Sequence, residues 1–319
     1  MTVQILLFLL GLALIVFGAD YLVEGASAVA RRFGLSEFVI GLTIVGMGTS
    51  APEMVVSFIG AIQGKADISV GNVIGSNIFN TLLILGITGL LLPMSITRDN
   101  RKKDIPMNIL ITLLLAALGL KQTLFGVGTD GLSRWEGGLF LLLFVLYMWN
   151  SFRSGRGEDS GEEAQARPLK LYWALLMILG GLAGLVFGGK LFVNSATQIA
   201  RALGVSDKFI AITILAGGTS MPELATCVAA AVKKKGQLAL GNIIGSNLFN
   251  ILLILGGSAL IHPLSFADIS WVDMGVLLVS ALALWTSCLV GKKNVLDRLD
   301  GSLLVLIWAA YMAYLIVNL

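Results

Sequence analysis

Gly48-Thr49-Ser50-Ala51-Pro52-Glu53 returns 170 residues later as Gly218-Thr219-Ser220-Met221-Pro222-Glu223. At the same offset Gly71-Asn72-Val73-Ile74-Gly75-Ser76-Asn77-Ile78-Phe79-Asn80 becomes Gly241-Asn242-Ile243-Ile244-Gly245-Ser246-Asn247-Leu248-Phe249-Asn250. Leu82 to Gly86 and Pro93 then recur as Leu252 to Gly256 and Pro263, so residues 18–93 align with 188–263 without a gap. Apolar helices share composition by chance, but they do not share polar hexapeptides at one constant offset. The chain is an internal duplication.

The stretches around these motifs are overwhelmingly apolar. Of 319 residues, 56% are hydrophobic and 13% charged, and mean hydropathy is +0.89. A soluble domain carries about 25% charged residues, so this composition could not coat a soluble surface and specifies an integral membrane protein. The net charge of +3 gives no sign of nucleic-acid binding. Cys227 and Cys288 both lie in apolar runs and suit neither a disulfide framework nor a zinc site. With His262 the only histidine, metalloenzyme and Ser-His-Asp chemistries are set aside, and no nucleophile–base pair suggests an enzyme.

A membrane-spanning helix needs about 20 apolar residues, and ten such segments are expected, at 3–30, 36–62, 68–93, 104–120, 135–152, 169–200, 206–232, 238–262, 271–290 and 300–317. The first lacks the basic start and cleavage site of a signal peptide and is taken as a retained span. The fold class is therefore an all-α polytopic membrane protein with ten transmembrane helices. Residues 1–152 form the first five-helix repeat and 169–319 the second, with the motif-bearing cores at 36–93 and 206–263. The polar stretch 153–168 is a flexible linker.

Loops after odd-numbered spans hold 16 of the 22 basic residues, among them Arg98, Arg101, Lys102, Lys103 and Lys233 to Lys235. The positive-inside rule places those loops in the cytoplasm and both termini outside. Five spans per repeat is an odd number, so the second repeat enters the membrane inverted. Inverted repeats are an architecture of secondary transporters, whose sites lie near the midplane on broken helices.

Thr49 and Ser50 fall near the middle of the second span, with Glu53 a turn beyond. Pro52 removes a backbone donor and breaks or kinks the helix there, freeing carbonyl oxygens. Ser76 and Asn80 are four apart on one face of the third span. Thr219, Ser220, Glu223, Ser246 and Asn250 repeat this in the second half, and inversion brings both sets to one place. Two carboxylates with hydroxyl, amide and carbonyl oxygens make a site for a hard cation, since Ca²⁺ takes about six to eight oxygen ligands and Na⁺ also prefers oxygen. Each acid at mid-membrane costs roughly 2.5–3.5 kcal/mol, which a structural role alone does not justify. Asp20 and Glu24 in the first span match Lys190 and Asn194, so symmetry gives them no site role and they are expected to be solvated. The Lys233–Lys235 run is expected to act as an orientation signal.

The doubled G-T-S-x-P-E and G-N-x-I-G-S-N-x-x-N motifs resemble the α-repeats of the Na⁺/Ca²⁺ exchanger family, within the cation/Ca²⁺ antiporter superfamily. The resemblance implies a prokaryotic-type member without a regulatory domain, set in the cell (inner) membrane. It implies Glu53 and Glu223 as central Ca²⁺ ligands and Thr49, Ser50, Ser76, Thr219, Ser220 and Ser246 as Na⁺ ligands, with Asn80 and Asn250 completing the ring. It also implies that the first and sixth spans slide across the rest of the chain to alternate access. K⁺-dependent members carry Asp where this chain has Asn250, which argues against K⁺ co-transport. Ca²⁺ and Na⁺ are then transported substrates; no cofactor and no protein partner is expected. From the residues alone two other readings stay open: H⁺/Ca²⁺ exchange through the same carboxylates, and a Ca²⁺ channel.

Overall fold

The computed structural model describes residues 2–154, 169–204, 217–287 and 294–318. Its helices are α1 (Thr2–Phe33), α2 (Glu37–Thr49), α3 (Ala51–Ile62), α4 (Ala66–Leu91), α5 (Ile105–Gly119), α6 (Arg134–Ser154), α7 (Leu171–Ala202), α8 (Met221–Val232), α9 (Gly236–Ile261), α10 (Trp271–Ser287) and α11 (Arg298–Val317). Six of these are long and apolar enough to cross a membrane, and α2 with α3 makes a seventh span bent by 49°. The shorter α5, α8 and α10 complete the ten expected segments. The first part of the seventh span, 205–216, and the linker from 155 to 168 lie outside the described residues, as does Cys288.

The inverted duplication is visible in the loops as well as the helices. Met94 and Ser95, after α4, pair with Leu296 and Val295 of the second half. Leu264 and Ser265, at the repeat-related place after α9, pair with Leu132 and Gly131 of the first half. Two short antiparallel ribbons thus tie the halves together, one on each face. Trp135 and Trp271 near one face, and Trp149 and Trp173 near the other, are all more than half exposed, as interfacial aromatic belts require.

Burial separates the helices into two groups. The best membrane-length windows of α4 and α9 are 72% and 94% buried, against 22% and 28% in α1 and α7. The buried pair carries the doubled motifs. The outer pair consists of 32-residue helices, about 48 Å long at 1.5 Å per residue and well beyond the bilayer core of about 30 Å. They run antiparallel in close contact. A methyl group on Gly18 would come within 2.8 Å of the Gly181 carbonyl oxygen, and one on Gly188 within 2.9 Å of that of Gly11. Small residues let the two backbones approach closely along this pair.

Candidate cation site

The two G-T-S-x-P-E motifs form the breaks of two discontinuous spans. Ser50 leaves helical geometry at φ −81°, ψ 9° and Ser220 does so at φ −88°, ψ 9°. The proline then falls in the first turn of α3 or α8, where a missing N–H costs nothing. Each glutamate sits in that first turn, where the positive end of a helix dipole faces it. Thr49, Ser50, Ser76, Asn80, Ser220, Ser246, Asn250, Glu53 and Glu223 are all buried, the two glutamates at 0% exposure; Thr219 is half-buried.

The repeats are cross-strapped. Ser50 Oγ of the first donates to Glu223 Oε1 of the second at 2.8 Å, and Ser220 Oγ donates to Glu53 Oε1 at 3.0 Å. Ser76 Oγ reaches Glu53 Oε1 at 3.5 Å. Thr49 Oγ1 lies 3.0 Å from the Val45 carbonyl and 3.1 Å from Asn242 Oδ1, while Ser246 Oγ donates to the Gly46 carbonyl at 3.3 Å. Each of these hydroxyls spends its proton on an acceptor and retains its lone pairs.

On α4 and α9 the helices widen into π-helical turns at Phe79–Ile84 and Asn250–Leu255, a geometry frequent at functional sites. There Asn80 Nδ2 donates to Asn247 Oδ1 at 3.3 Å and Asn250 Nδ2 to Asn77 Oδ1 at 2.9 Å. Both amide nitrogens are committed, and both amide oxygens are left over. The result is four buried oxygens without a hydrogen-bond partner: Glu53 Oε2, Glu223 Oε2, Asn80 Oδ1 and Asn250 Oδ1, two repeat-related pairs. Orphaned buried acceptors are rare and costly. Here they have the same chemistry, hard oxygen, and among the described residues no Lys or Arg pairs with either carboxylate. All four are oxygens of the kind that a hard cation takes as ligands.

Several contributing residues carry no charge and were not singled out above. Asn77 and Asn247 orient the two amides, and Asn77 Nδ2 also donates to the Asn247 carbonyl at 3.2 Å, joining α4 to α9. Asn72 Nδ2 holds the Glu53 carbonyl at 3.1 Å and Ser57 Oγ at 3.0 Å. Its counterpart Asn242 donates to Cys227 Sγ at 3.3 Å, and Cys227 is the repeat partner of Ser57. The signal for all of them is their recurrence at offset 170.

The surroundings are less symmetric than the centre. On one side, α3 and α7 stand apart around a cavity of about 310 Å³ lined by Pro52, Val55, Gly189, Lys190, Thr219 and Pro222. On the other, the repeat-related α1 packs along α8. There Lys233 Nζ lies 2.7 Å from Asp20 Oδ1 and 2.9 Å from Glu24 Oε2. Asp20 and Glu24 are exposed, as expected, and they also share an ion-pair contact that spans more than 200 residues of sequence. Partial burial of Lys233 disfavours its charge, but its hydrogen bonds to Asp20 and Glu24 prevail and hold its pKa above the usual lysine value. Lys235 is likewise paired, with Glu37 at 3.0 Å.

Comparison with known proteins gives a consistent picture. The family model described as "Sodium/calcium exchanger protein" matches residues 3–153 and 173–317. The sodium/calcium exchanger MaX1 of Methanosarcina acetivorans is 34% identical over 98% of this chain and 99% of its own length. The inner membrane protein YrbG of Escherichia coli is 34% identical over 97% and 96%. A solved structure of the sodium-calcium exchanger NCX_Mj, soaked with Na⁺ and Sr²⁺, superposes with a TM-score of 0.84 at 34% identity, covering 97% of both chains.

Proposed function

The chain belongs to the sodium/calcium exchanger family of multi-pass membrane antiporters, and on that premise we propose that it exchanges Na⁺ for Ca²⁺ by alternating access to the buried oxygen site. The observation that carries this reading is the set of four orphaned oxygens, two from carboxylates and two from amides, drawn equally from both repeats. Two ionised carboxylates in a dry site need a counter-charge, and one Ca²⁺ supplies it. Glu53 and Glu223 are the central ligands, with Asn80 and Asn250 completing the ring. The hydroxyls of Thr49, Ser50, Ser76, Thr219, Ser220 and Ser246 supply the smaller, monovalent sites that several Na⁺ ions need.

Na⁺ is preferred to H⁺ as the counter-ion because protons need no coordination shell, whereas this site is ringed with neutral oxygens. Three or more Na⁺ against one Ca²⁺ leaves an unbalanced charge, so the cycle responds to membrane potential by about 2.3 kcal/mol per charge per 100 mV. By the positive-inside rule the Lys233 face is cytoplasmic, the 310 Å³ cavity faces outward and both termini are external; the location is a prokaryotic inner membrane, as the name of YrbG states for that relative. Ca²⁺ uptake into proteoliposomes under imposed Na⁺, K⁺ or pH gradients tests the function. Uptake driven by an outward Na⁺ gradient alone is expected. Uptake driven by a pH gradient and indifferent to Na⁺ would replace this reading with H⁺/Ca²⁺ exchange, and Ca²⁺ flux requiring no counter-ion would indicate a channel.

A further inference from the structure

The cavity beside the carboxylates is apolar over most of its wall, formed by Ala51, Val55, Val56, Leu185 and Val193. Of the described residues lining it, Lys190 alone is charged. Lys190 is exposed, and no ion pair joins it to any acid among the described residues. Thr219 and Pro222, adjacent to Ser220 and Glu223, line the same space, so the cavity ends at the cation site. A cation moving through this cavity between that site and the nearer face passes the Lys190 ammonium between low-dielectric walls. The duplication makes the feature conspicuous: the position corresponding to Lys190 in the other repeat is Asp20, and Asn194 corresponds to Glu24. One flank of the site carries two acids paired with Lys233, and the other carries Lys190.

We propose that Lys190 is a specificity-determining residue, an electrostatic filter at the open mouth that repels Ca²⁺ more than Na⁺ and so favours Na⁺ entry and Ca²⁺ departure there. The reasoning is Coulomb's law: the same potential acts on two charges in Ca²⁺ and one in Na⁺, so every logarithmic change in Ca²⁺ affinity is twice that per Na⁺. Lys190 does not alter the ion gradients at equilibrium, which stoichiometry and voltage set. It alters the concentrations at which that face works. The inference rests on the proposed Na⁺/Ca²⁺ exchange for its Na⁺ half, while its Ca²⁺ half needs only that Ca²⁺ reach the site through this mouth.

The test uses full-length protein in right-side-out and inside-out vesicles, with half-saturating Ca²⁺ and Na⁺ measured for wild type, Lys190→Gln, Lys190→Glu and Lys190→Arg. At low ionic strength Lys190→Gln is expected to tighten apparent Ca²⁺ affinity at the cavity face about threefold and Na⁺ affinity less than twofold. Lys190→Glu should give about tenfold and threefold, and Lys190→Arg should match wild type. All shifts should shrink at about 0.15 M salt, where the screening length falls to roughly 8 Å, and all should be absent at the Lys233 face. Unchanged Ca²⁺ affinity in both Lys190→Gln and Lys190→Glu would overturn the proposal and mean that the ammonium reaches past the cavity to lipid headgroups. Equal shifts for Ca²⁺ and Na⁺, or a Lys190→Arg variant resembling Lys190→Gln, would overturn it in favour of a steric role. Failure of the proposed function reads out separately, as wild-type Ca²⁺ flux that a pH gradient drives and Na⁺ does not. In that case the charge dependence of Ca²⁺ affinity still decides the role of Lys190.

Discussion

On the Lys233 face, α1 lies along α8 and its Asp20 and Glu24 are tied to Lys233 at 2.7 and 2.9 Å. On the opposite face the repeat-related helices α7 and α3 stand apart around a cavity of about 310 Å³, and the three corresponding positions are Lys190, Asn194 and Gln63. The centre between them is nearly symmetric, with Ser50 bound to Glu223 and Ser220 to Glu53. In an inverted repeat whose halves were identical, opening one face and closing the other would produce two states of equal energy. Only divergent side chains can separate them. The side chains of the proposed site keep the repeat symmetry, and the two flanks do not.

If the centre is shared, damage to either repeat must have the same large consequence. Glu53→Gln and Glu223→Gln should each reduce Ca²⁺ transport by about 100-fold or more, the order of effect expected when one member of a buried charge constellation is removed. Both proteins should still fold, since neutralising one acid relieves like-charge repulsion. A variant of either kind that exchanges Ca²⁺ near the wild-type rate would break the symmetry of the centre.

The cross-straps come next. Ser50→Ala and Ser220→Ala each remove a hydrogen bond to a carboxylate, worth about 1.5 kcal/mol at the lower end for a charged acceptor, so Ca²⁺ affinity should fall roughly 10-fold in both. The double variant should show less than the sum of the logarithmic losses if one ion couples the two. Additive losses would point to two independent sites.

How far this difference was legible in the sequence depends on the kind of contact. Duplication, helix breaks and the two acids follow from local pattern, because proline and mid-membrane charge each have a strong local cost. The pairing of Ser50 with Glu223 follows only after inversion folds the halves together. Asn77 and Asn247 lay inside the quoted motif, but nothing in a neutral amide distinguishes orienting another amide from packing. Lys233 with Asp20 and Glu24 was not legible at all: the contact joins the first span to the loop after the seventh, and the repeat comparison pointed away from it by matching Asp20 to Lys190.

The gate on the Lys233 face should give the smallest effect. Its ion pairs are partly exposed, and such pairs contribute about 0–1 kcal/mol each. Lys233→Ala should therefore raise the reactivity of Ala225→Cys, on α8 behind α1, about two- to fivefold towards an impermeant thiol reagent applied from that face. Reactivity of Val55→Cys, its counterpart in the open cavity, should fall in step. Changes in the same direction at both positions would indicate general loosening in place of an exchange between two states.

The most direct test of a single cation centre shared by both repeats is equilibrium Ca²⁺ binding to the purified full-length protein, titrated with and without Na⁺. One Ca²⁺ per chain is expected, displaced cooperatively by Na⁺, and lost to the same extent in Glu53→Gln and Glu223→Gln. Two Ca²⁺ per chain, or binding that survives intact in one of the two variants, would contradict a shared centre.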